Sequence, residues 1–392
     1  MSKFATAASA ADETDDAVVE CLNELDDQIK VSAADFVWLG VSPEHPYETV
    51  VEQFRDATND APLIGASSAG EFTENGSISG GISAAVVRSE TMAFSAGLGT
   101  DYSEDVAASV EQAVDELDTS IADDYPYAAG INHHDGLVGY GDEVTIRAYQ
   151  ALDVPFAGGS AGDDRRIEET AVFANDSVST DGVALAVIGS EDPLPQSTAN
   201  GHSRISGGMR VTESEGSVVT ELDGQPAYSR WADAVRDAVA EQYDRSLEDI
   251  EAGGDEWVEL LTRYEFGIET GGEEFKIRWP GLTPDRSGPL YFATEIPEGT
   301  ELFLMDAQPD TERDSQQRVA AAVGDDIAGA LSFACICQAD IQGDAFDDAV
   351  RAVADRVDAP IAGMEVYGEV GLNEDDMRGY HNASLSVLGF PA

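Results

Sequence analysis

Ala61-Pro62-Leu63-Ile64-Gly65-Ala66-Ser67-Ser68-Ala69-Gly70-Glu71 is a phrase that this chain writes three times, with changes. The second copy runs Val154-Pro155-Phe156-Ala157-Gly158-Gly159-Ser160-Ala161-Gly162-Asp163. The third opens Ala359-Pro360-Ile361-Ala362-Gly363 and closes Tyr367-Gly368-Glu369. Proline has no N–H to give to a central strand, so it marks a strand's start. The apolar pair after it is a short buried strand, and glycine at its end permits close backbone approach or a positive φ. The small residues that follow leave backbone N–H groups uncovered, and an acid sits at the mouth. Each copy follows a helical pattern and precedes an apolar run: Ala84 to Val87, Val183 to Gly189, Leu385 to Gly389. One supersecondary unit is therefore used repeatedly, at a spacing too wide for a solenoid.

Outward from these phrases, strands alternate with helices. Phe36 to Val41 reads as a strand, and Tyr47 to Ala57 as a helix with Val50, Val51, Phe54 and Ala57 on one face. Ala84 to Arg88 and Met92 to Leu98 read as strands close enough to pair with each other. Tyr127 to Asn132 is a strand ending in His133-His134-Asp135-Gly136. The pattern breaks at Glu191-Asp192-Pro193-Leu194-Pro195 and the polar run to Gly201. Strands resume at Met209 to Thr212 and Val218 to Leu222. Pro226 then suits the first turn of a helix, with Asp223 near enough to cap it. Residues 244 to 273 carry Trp257, Leu260 and Leu261 but give no clear element. The expected fold class is α/β: two domains with mixed β-sheets flanked by helices, on a partly repeated plan. The expected division is a flexible acidic tail over 1–30, one domain over 31–195 and a second over 203–392.

Charge sets the surroundings. Asp and Glu number 77 against 21 Lys and Arg, a formal net charge of −56. The acids are scattered, many on polar helix faces such as Glu111, Asp115, Asp347, Asp348 and Asp355. That suits a salt-rich cytoplasm, where the Debye length falls to about 3 Å and self-repulsion is screened. A nucleic-acid partner is disfavoured because no basic stripe exists. No apolar run approaches the ~20 residues of a membrane span, and the opening residues read as neither signal peptide nor span. Three cysteines, Cys21, Cys335 and Cys337, form no spaced disulfide framework and point to a reducing compartment.

The candidate ligand-binding residues follow from the phrases: Gly65, Ser67, Ser68, Gly70 and Glu71; Gly158, Gly159, Ser160, Gly162 and Asp163; Gly363, Gly368 and Glu369 with Asn382. Backbone N–H groups suit an anionic group and the acids a cationic one, together a zwitterion. Glu71 and Glu369 are read as surface acids that contribute little to folding. The His133-His134 pair lacks further ligands at metal spacing and reads as a polar loop. Cys335 and Cys337 are placed on one strand and are read as facing opposite ways, which argues against joint chelation. Gly158-Gly159-Ser160-Ala161-Gly162 fits a nucleophile elbow formally, but no helix pattern starts after Ser160. A hydrolase using Ser160, or Cys335 paired with His381, is the alternative reading. An interaction scaffold is another. Arg204 is a weaker candidate for a ligand carboxylate.

Several stretches together resemble the FIST family, N- and C-terminal domains. They are LIGASSAGEF (63–72), FAGGSAGDDRRIEETAVFANDSVSTDGVALAVIG (156–189), VTESEGSVVTELDGQPAYSRW (211–231), ALSFACICQ (330–338), PIAGMEVYGEVG (360–371) and YHNASLSVLGF (380–390). The resemblance spans roughly residues 30 to 390, in family order, in an acidic, haloarchaeal-like form. It implies a sensory module for small ligands such as amino acids or their derivatives. No cofactor or metal is expected from the residues; the resemblance implies an unknown downstream signalling protein as partner, and an Asp-Gly position that makes Asp135 a site candidate. The family pattern places an arginine after the cysteine of the 330–338 strand, where this chain has Gln338. The expectation is thus a cytoplasmic sensor of an amino-acid-like ligand, without a fused output domain.

Overall fold

The computed structural model describes residues 2–271, 274–373 and 376–392. Three stretches of chain build the same unit. In the first, β1 (Lys3–Ser9), α1 (Thr14–Gln28), β2 (Phe36–Val41), α2 (Tyr47–Ala57) and β3 (Leu63–Ser67) lead into a hairpin. Its arms are β4 (Glu71–Thr73) and β5 (Gly76–Ile78), and β6 (Ile82–Arg88) closes the unit. The second unit has β7 (Met92–Thr100), α3 (Val106–Asp115), a short α4 (Ser120–Asp124), β8 (Tyr127–His134), α5 (Gly141–Leu152) and β9 (Phe156–Ser160). The hairpin β10 (Val172–Ala174) and β11 (Ser177–Ser179) follows, then β12 (Gly182–Ser190). The third opens with β13 (Gln196–Ala199) and is interrupted by an insertion.

The insertion runs through β14 (Ser203–Glu215), β15 (Val218–Leu222), β16 (Gln225–Pro226), α6 (Ala227–Tyr243), α7 (Asp255–Arg263), β17 (Phe266–Gly271), β18 (Glu274–Arg278), β19 (Leu290–Tyr291) and β20 (Glu301–Asp306). The third unit then resumes with α8 (Pro309–Val323), β21 (Ile327–Cys335), α9 (Ile336–Gln342), α10 (Phe346–Val357) and β22 (Ile361–Val366). Its hairpin is β23 (Gly368–Asn373) and β24 (Asp376–His381), and β25 (Leu385–Pro391) ends it.

Each unit orders its strands alike: β1-β6-β2-β3, β7-β12-β8-β9 and β13-β25-β21-β22. The last strand of a unit lies between its first and second strands. The second and third strands run parallel, as their connecting helices α2, α5 and α10 require. Each hairpin leaves its own unit and completes another's sheet. β10 and β11 extend the first sheet beside β3, β23 and β24 the second beside β9, and β4 and β5 the third beside β22. The exchange closes a cycle, so no unit's sheet is complete without a neighbour.

Side-chain alternation explains how the sheets assemble. On β2, Phe36 and Trp38 join a central core with Ile131 and Ala157 of the second unit and Phe333, Met364 and Val366 of the third. Val37, Leu39 and Val41 point the other way, against Val18, Leu25, Val50 and Phe54 of α1 and α2. Both faces are buried, so the strands read as near-continuous apolar runs. The second and third sheets likewise carry α3 and α5, or α8 and α10, on their outer faces. Three sheets thus face one another inside a jacket of helices, in the α/β class with mixed sheets expected from the sequence. The insertion has its own core around Trp231, Val235, Trp257, Leu261 and Phe292.

Several sequence expectations are revised. Residues 3–28 are a strand and a helix in place of a flexible tail: β1 pairs with β6, and Val18, Cys21 and Leu25 are buried. The chain after 309 returns to the three-unit body, while residues 203–306 build the inserted one. β6 and β7 are adjacent in sequence but sit in different sheets, because β12 takes the place beside β7. Residues 244–273 hold α7 and β17 as far as Gly271. Gly272 and Glu273 lie outside the described residues. Asp223 does not cap α6; at φ 55° it accepts from the Arg210 N–H and pairs with Arg230.

Candidate functional site

The three phrases meet where the three units join. The Gly162 N–H donates to the Ser67 carbonyl at 2.9 Å, the Ala69 N–H to the Glu365 carbonyl at 3.0 Å and the Tyr367 N–H to the Ser160 carbonyl at 3.3 Å. Ser68 N–H is taken by Val41 and Ala161 N–H by His134. The N–H groups that the sequence leaves open to a ligand therefore tie the ring together. The glycines answer to the same crowding. Gly158 has φ 141°, and a Cβ there would lie 2.2 Å from the Asn132 carbonyl oxygen. Gly65 and Gly363 face backbone oxygens at 2.3 and 2.2 Å, Gly159 packs on Val366, and Gly368 on Tyr380. Gly70 packs on the Glu365 carboxylate.

The acids of the first and third phrases are buried, which corrects their reading as surface groups. Glu71 is fully buried; it accepts from the Ser68 hydroxyl and from the Gly81 N–H at 3.0 Å. Glu369 is fully buried and accepts from the Ser384 hydroxyl at 2.7 Å and N–H at 2.9 Å. Burial outweighs these bonds and lifts both carboxyls to about 8. Burial likewise lifts Glu365 to about 7 against the pull of Arg165, 2.9 Å away.

The second phrase departs from the other two. After Gly162 the chain runs a loop to Thr170 before its hairpin begins. Asp163 holds that loop: its carboxylate accepts from the N–H groups of Ile167, Glu168 and Glu169 at 2.7–3.0 Å and from the Tyr367 hydroxyl. Asp164, Arg165 and Ile167 all adopt positive φ, a costly conformation for such residues that the surrounding bonds sustain. Arg165 anchors the loop on the Ala69 carbonyl, Asp340 and Glu365.

Beneath this loop lies a cavity of about 130 Å³. Its walls are Gly136, Leu137, Ile167, Ile336, Cys337 and Tyr367 from the ring, and Trp279, Leu282 and Ala293 from the insertion. Asp135 sits just behind the wall, bonded to the N–H groups of Leu137 and Val138, with burial raising its carboxyl. Asn382 bridges the two bodies, taking the Trp279 N–H at 3.4 Å and donating to the Tyr367 carbonyl at 3.3 Å. Gly136 permits the close approach that forms one wall, since a Cβ would lie 1.9 Å from the Ala161 oxygen. The structure therefore gathers Asp135, Asp163 and Asn382 around one space, with Gly162 and Gly368 flanking two of its residues in sequence. It leaves Gly65, Ser67, Ser68, Glu71, Gly158, Gly363 and Glu369 in the joint and the strands behind it. Arg204, on β14, stacks on Phe303 of β20, 4.0 Å from the ring centroid.

The candidate nucleophiles are placed deep. The Ser160 hydroxyl is fully buried between the Tyr380 hydroxyl (3.1 Å) and the Gly368 carbonyl. Cys335 ends β21, but Cys337 lies in the first turn of α9. The two thiols interact, which corrects the reading that they face apart: residues two apart on a strand share a face, and here the strand also gives way to a helix between them. Burial lifts Cys335 to about 11, and contact with Cys335 plus burial raises Cys337 as well. His133 and His134 end β8 inside the core, not on a polar loop. His133 Nδ1 donates to the Gly159 carbonyl at 2.8 Å, and its Nε2 accepts from the Trp38 indole at 3.0 Å. Burial lowers the two imidazoles to about 4 and 3.

Trp279, Tyr367 and Ile167 are among the cavity residues that sequence reading passed over, and Tyr367 carried a signal. Counted from the prolines, it stands where the other copies have Ala69 and Gly162. A buried triad was also missed. His202 lies 3.3 Å from Glu265 and 3.1 Å from Glu312, which staples the insertion to α8. Burial opposes its charge, but the two carboxylates outweigh burial and lift His202 to about 10.

Comparison with known proteins supports the family reading. The chain shares 29% identity over 127 residues with an uncharacterized protein of Methanocaldococcus jannaschii, a match spanning 31% of this chain and a quarter of that protein's length. Among solved structures, two cyanuric acid hydrolases align over the whole of both chains, one from A. caulinodans at 9% identity and another at 10%, each with a TM-score of 0.32. Among the described residues, no helix is long and apolar enough to cross a membrane. The FIST N domain profile matches residues 35–225 and the FIST C domain profile residues 238–372, and the chain belongs to the FIST-domain family.

Proposed function

We propose that the chain is a sensory protein whose small ligand occupies the cavity between the ring and the insertion. One observation carries this reading: two separately built bodies, each with its own core, supply the walls of one space. Ligands gather at such boundaries, because a bound molecule that touches both bodies biases their relative position. Ligand occupancy would reach the family's signalling partner through that shift. The expected amino-acid-like ligand would place an apolar side chain inward, against Leu137, Ile167, Trp279 and Ile336. The acidic surface suits a salt-rich cytoplasm.

The hydrolase reading is weaker. Ser160 is buried between the Tyr380 hydroxyl and the Gly368 carbonyl, and although the Cys335 thiol bonds to Glu369, burial keeps it protonated, lifted to about 11. Trp279 provides the test. Trp38, Trp231 and Trp257 are fully buried, whereas Trp279 stands in the cavity wall. A metabolite screen by tryptophan fluorescence should find compounds that change the emission of the native chain and leave Trp279→Phe unchanged. Ligands whose signal survives Trp279→Phe and whose affinity survives Ala293→Leu, which fills the cavity, would place the site elsewhere.

A further inference from the structure

The cavity is set in a protein of net charge −56, yet among the described residues no charged side chain lines it. Its walls are five large apolar residues, Leu137, Ile167, Trp279, Leu282 and Ile336, with Gly136 and Ala293 between them. Among the described lining residues, polar side-chain atoms come from Tyr367, Cys337 and Trp279, whose indole N–H is given to the Thr262 hydroxyl at 2.9 Å. The carboxylates behind the wall are already engaged: Asp163 takes three N–H groups and the Tyr367 hydroxyl, Asp135 takes two N–H groups, and Glu265 is held by His202 and the Cys337 thiol. Arg165 is spent on Asp340, Glu365 and the Ala69 carbonyl. An ammonium or carboxylate drawn into this space would lose water with no free opposite charge to receive it, and so would bind more weakly than a neutral group.

The remaining polar groups are neutral in kind. Tyr367 gives its proton to Asp163, so its oxygen is left to accept. Cys337 carries a thiol held protonated by its contact with Cys335 and by burial. Size narrows the class further. The volume of about 130 Å³ is close to that of an engineered dry cavity of about 150 Å³ that takes up a single benzene ring. The rim adds a second hint. Leu137, Ile167 and Leu282 are 36, 45 and 43% exposed, and they stand together at the mouth. On so acidic a surface, three large exposed apolar residues around one opening form an apolar rim suited to an apolar ligand.

We propose that the ligand is an uncharged compact molecule, a single ring or a short branched chain, bearing one hydrogen-bond donor. The donor meets the Tyr367 oxygen, and the ring or chain fills the space between Trp279 and Ile336. Among amino-acid-like compounds this selects neutral derivatives over free zwitterions. The inference rests on the cavity being the ligand site, as proposed above.

The test pairs molecules that share an apolar group and differ in their head: 3-methyl-1-butanol against leucine, and 2-phenylethanol against phenylalanine. Binding is read by thermal shift and by tryptophan fluorescence on the full chain at high salt. The neutral member of each pair should bind more than about tenfold tighter than the amino acid. Ala293→Leu should abolish that binding. Ile167→Asp, at an exposed position, should leave the fold intact and weaken the neutral compounds by placing a charge at the mouth. Amino acids binding as tightly as the alcohols, with Ala293→Leu still blocking them, would overturn the ligand class and keep the site. Binding that ignores both variants would overturn the site itself. No response to any of the four compounds would overturn the proposed class.

Discussion

The first and second phrases begin alike and end differently. In the first, Ser67 to Glu71 passes straight into the hairpin β4–β5, and its acid is sealed inside by Ser68 and Gly81. In the second, Ser160 to Asp163 opens into a loop whose three positive-φ residues arch over a cavity. The shared part makes the joint between units, and the departure makes the candidate site. A repeated phrase in a chain of three units is a structural requirement written three times. The copy that breaks the pattern is where a ligand is to be sought.

The joint should be the more fragile half of this comparison. Gly158→Val forces a β-branched side chain into a positive φ and against the Asn132 carbonyl. The cost should exceed about 3 kcal/mol, seen as loss of the cooperative melting transition. A variant that melts within a few degrees of the native chain would show that the joint is not tightly packed. Next in size is Glu71→Ala, which leaves the Ser68 hydroxyl and Gly81 N–H without their acceptor. It should cost about 1–3 kcal/mol, where a surface acid would cost almost nothing.

The pH dependence sharpens the same point. Glu71 and Glu369 have folded-state values of about 8 against 4.5 unfolded, so the folded state holds the extra protons. The stability from these groups is fully present below about 4.5 and is lost as pH rises through about 8. Denaturant melts at several pH values should show this alkaline fall, and the double variant Glu71→Gln, Glu369→Gln should flatten it. An unchanged slope in the double variant would mean that both acids are ionised in the fold.

At the site the effects should be smaller on stability and larger on binding. Tyr367→Phe removes one hydroxyl from Asp163 and from the ligand. It should cost about 1 kcal/mol of stability and weaken a donor-bearing ligand by about tenfold. Equal affinity in native and variant chains would remove Tyr367 from the ligand's surroundings. Smallest per residue is the effect of salt. Repulsion spread over a charge of −56 should raise the melting temperature steadily from about 0.1 M to molar KCl, as the Debye length falls from about 10 to about 3 Å. A flat response would argue against a salt-rich setting.

Much of the fold was legible because strands buried on both faces leave long apolar runs, and because Pro62, Pro155 and Pro360 mark equivalent strand starts. The exchange of hairpins was not legible. Nothing local in Glu71 to Ile78 says that it pairs with β22 nearly three hundred residues away instead of its own β3. For the same reason the burial of Glu71 and Glu369 was hidden, since a neighbouring unit supplies the cover. Asp135 was singled out by the family resemblance, and Asp163 and Asn382 as polar residues closing the repeated phrases. Trp279 and Ile167 were not, because apolar residues in loops resemble core until the space beside them is seen. Cys337 was misplaced by a strand that turns into a helix one residue earlier than its apolar run.

Hydrogen–deuterium exchange with and without a bound neutral compound such as 2-phenylethanol tests the central claim most directly. The account predicts slowed exchange at residues 136–138, 163–169 and 279–293, with residues 65–71 unchanged. Protection confined to residues 65–71 and 363–366, with the second phrase's loop unaffected, would contradict it and return the ligand to the joint.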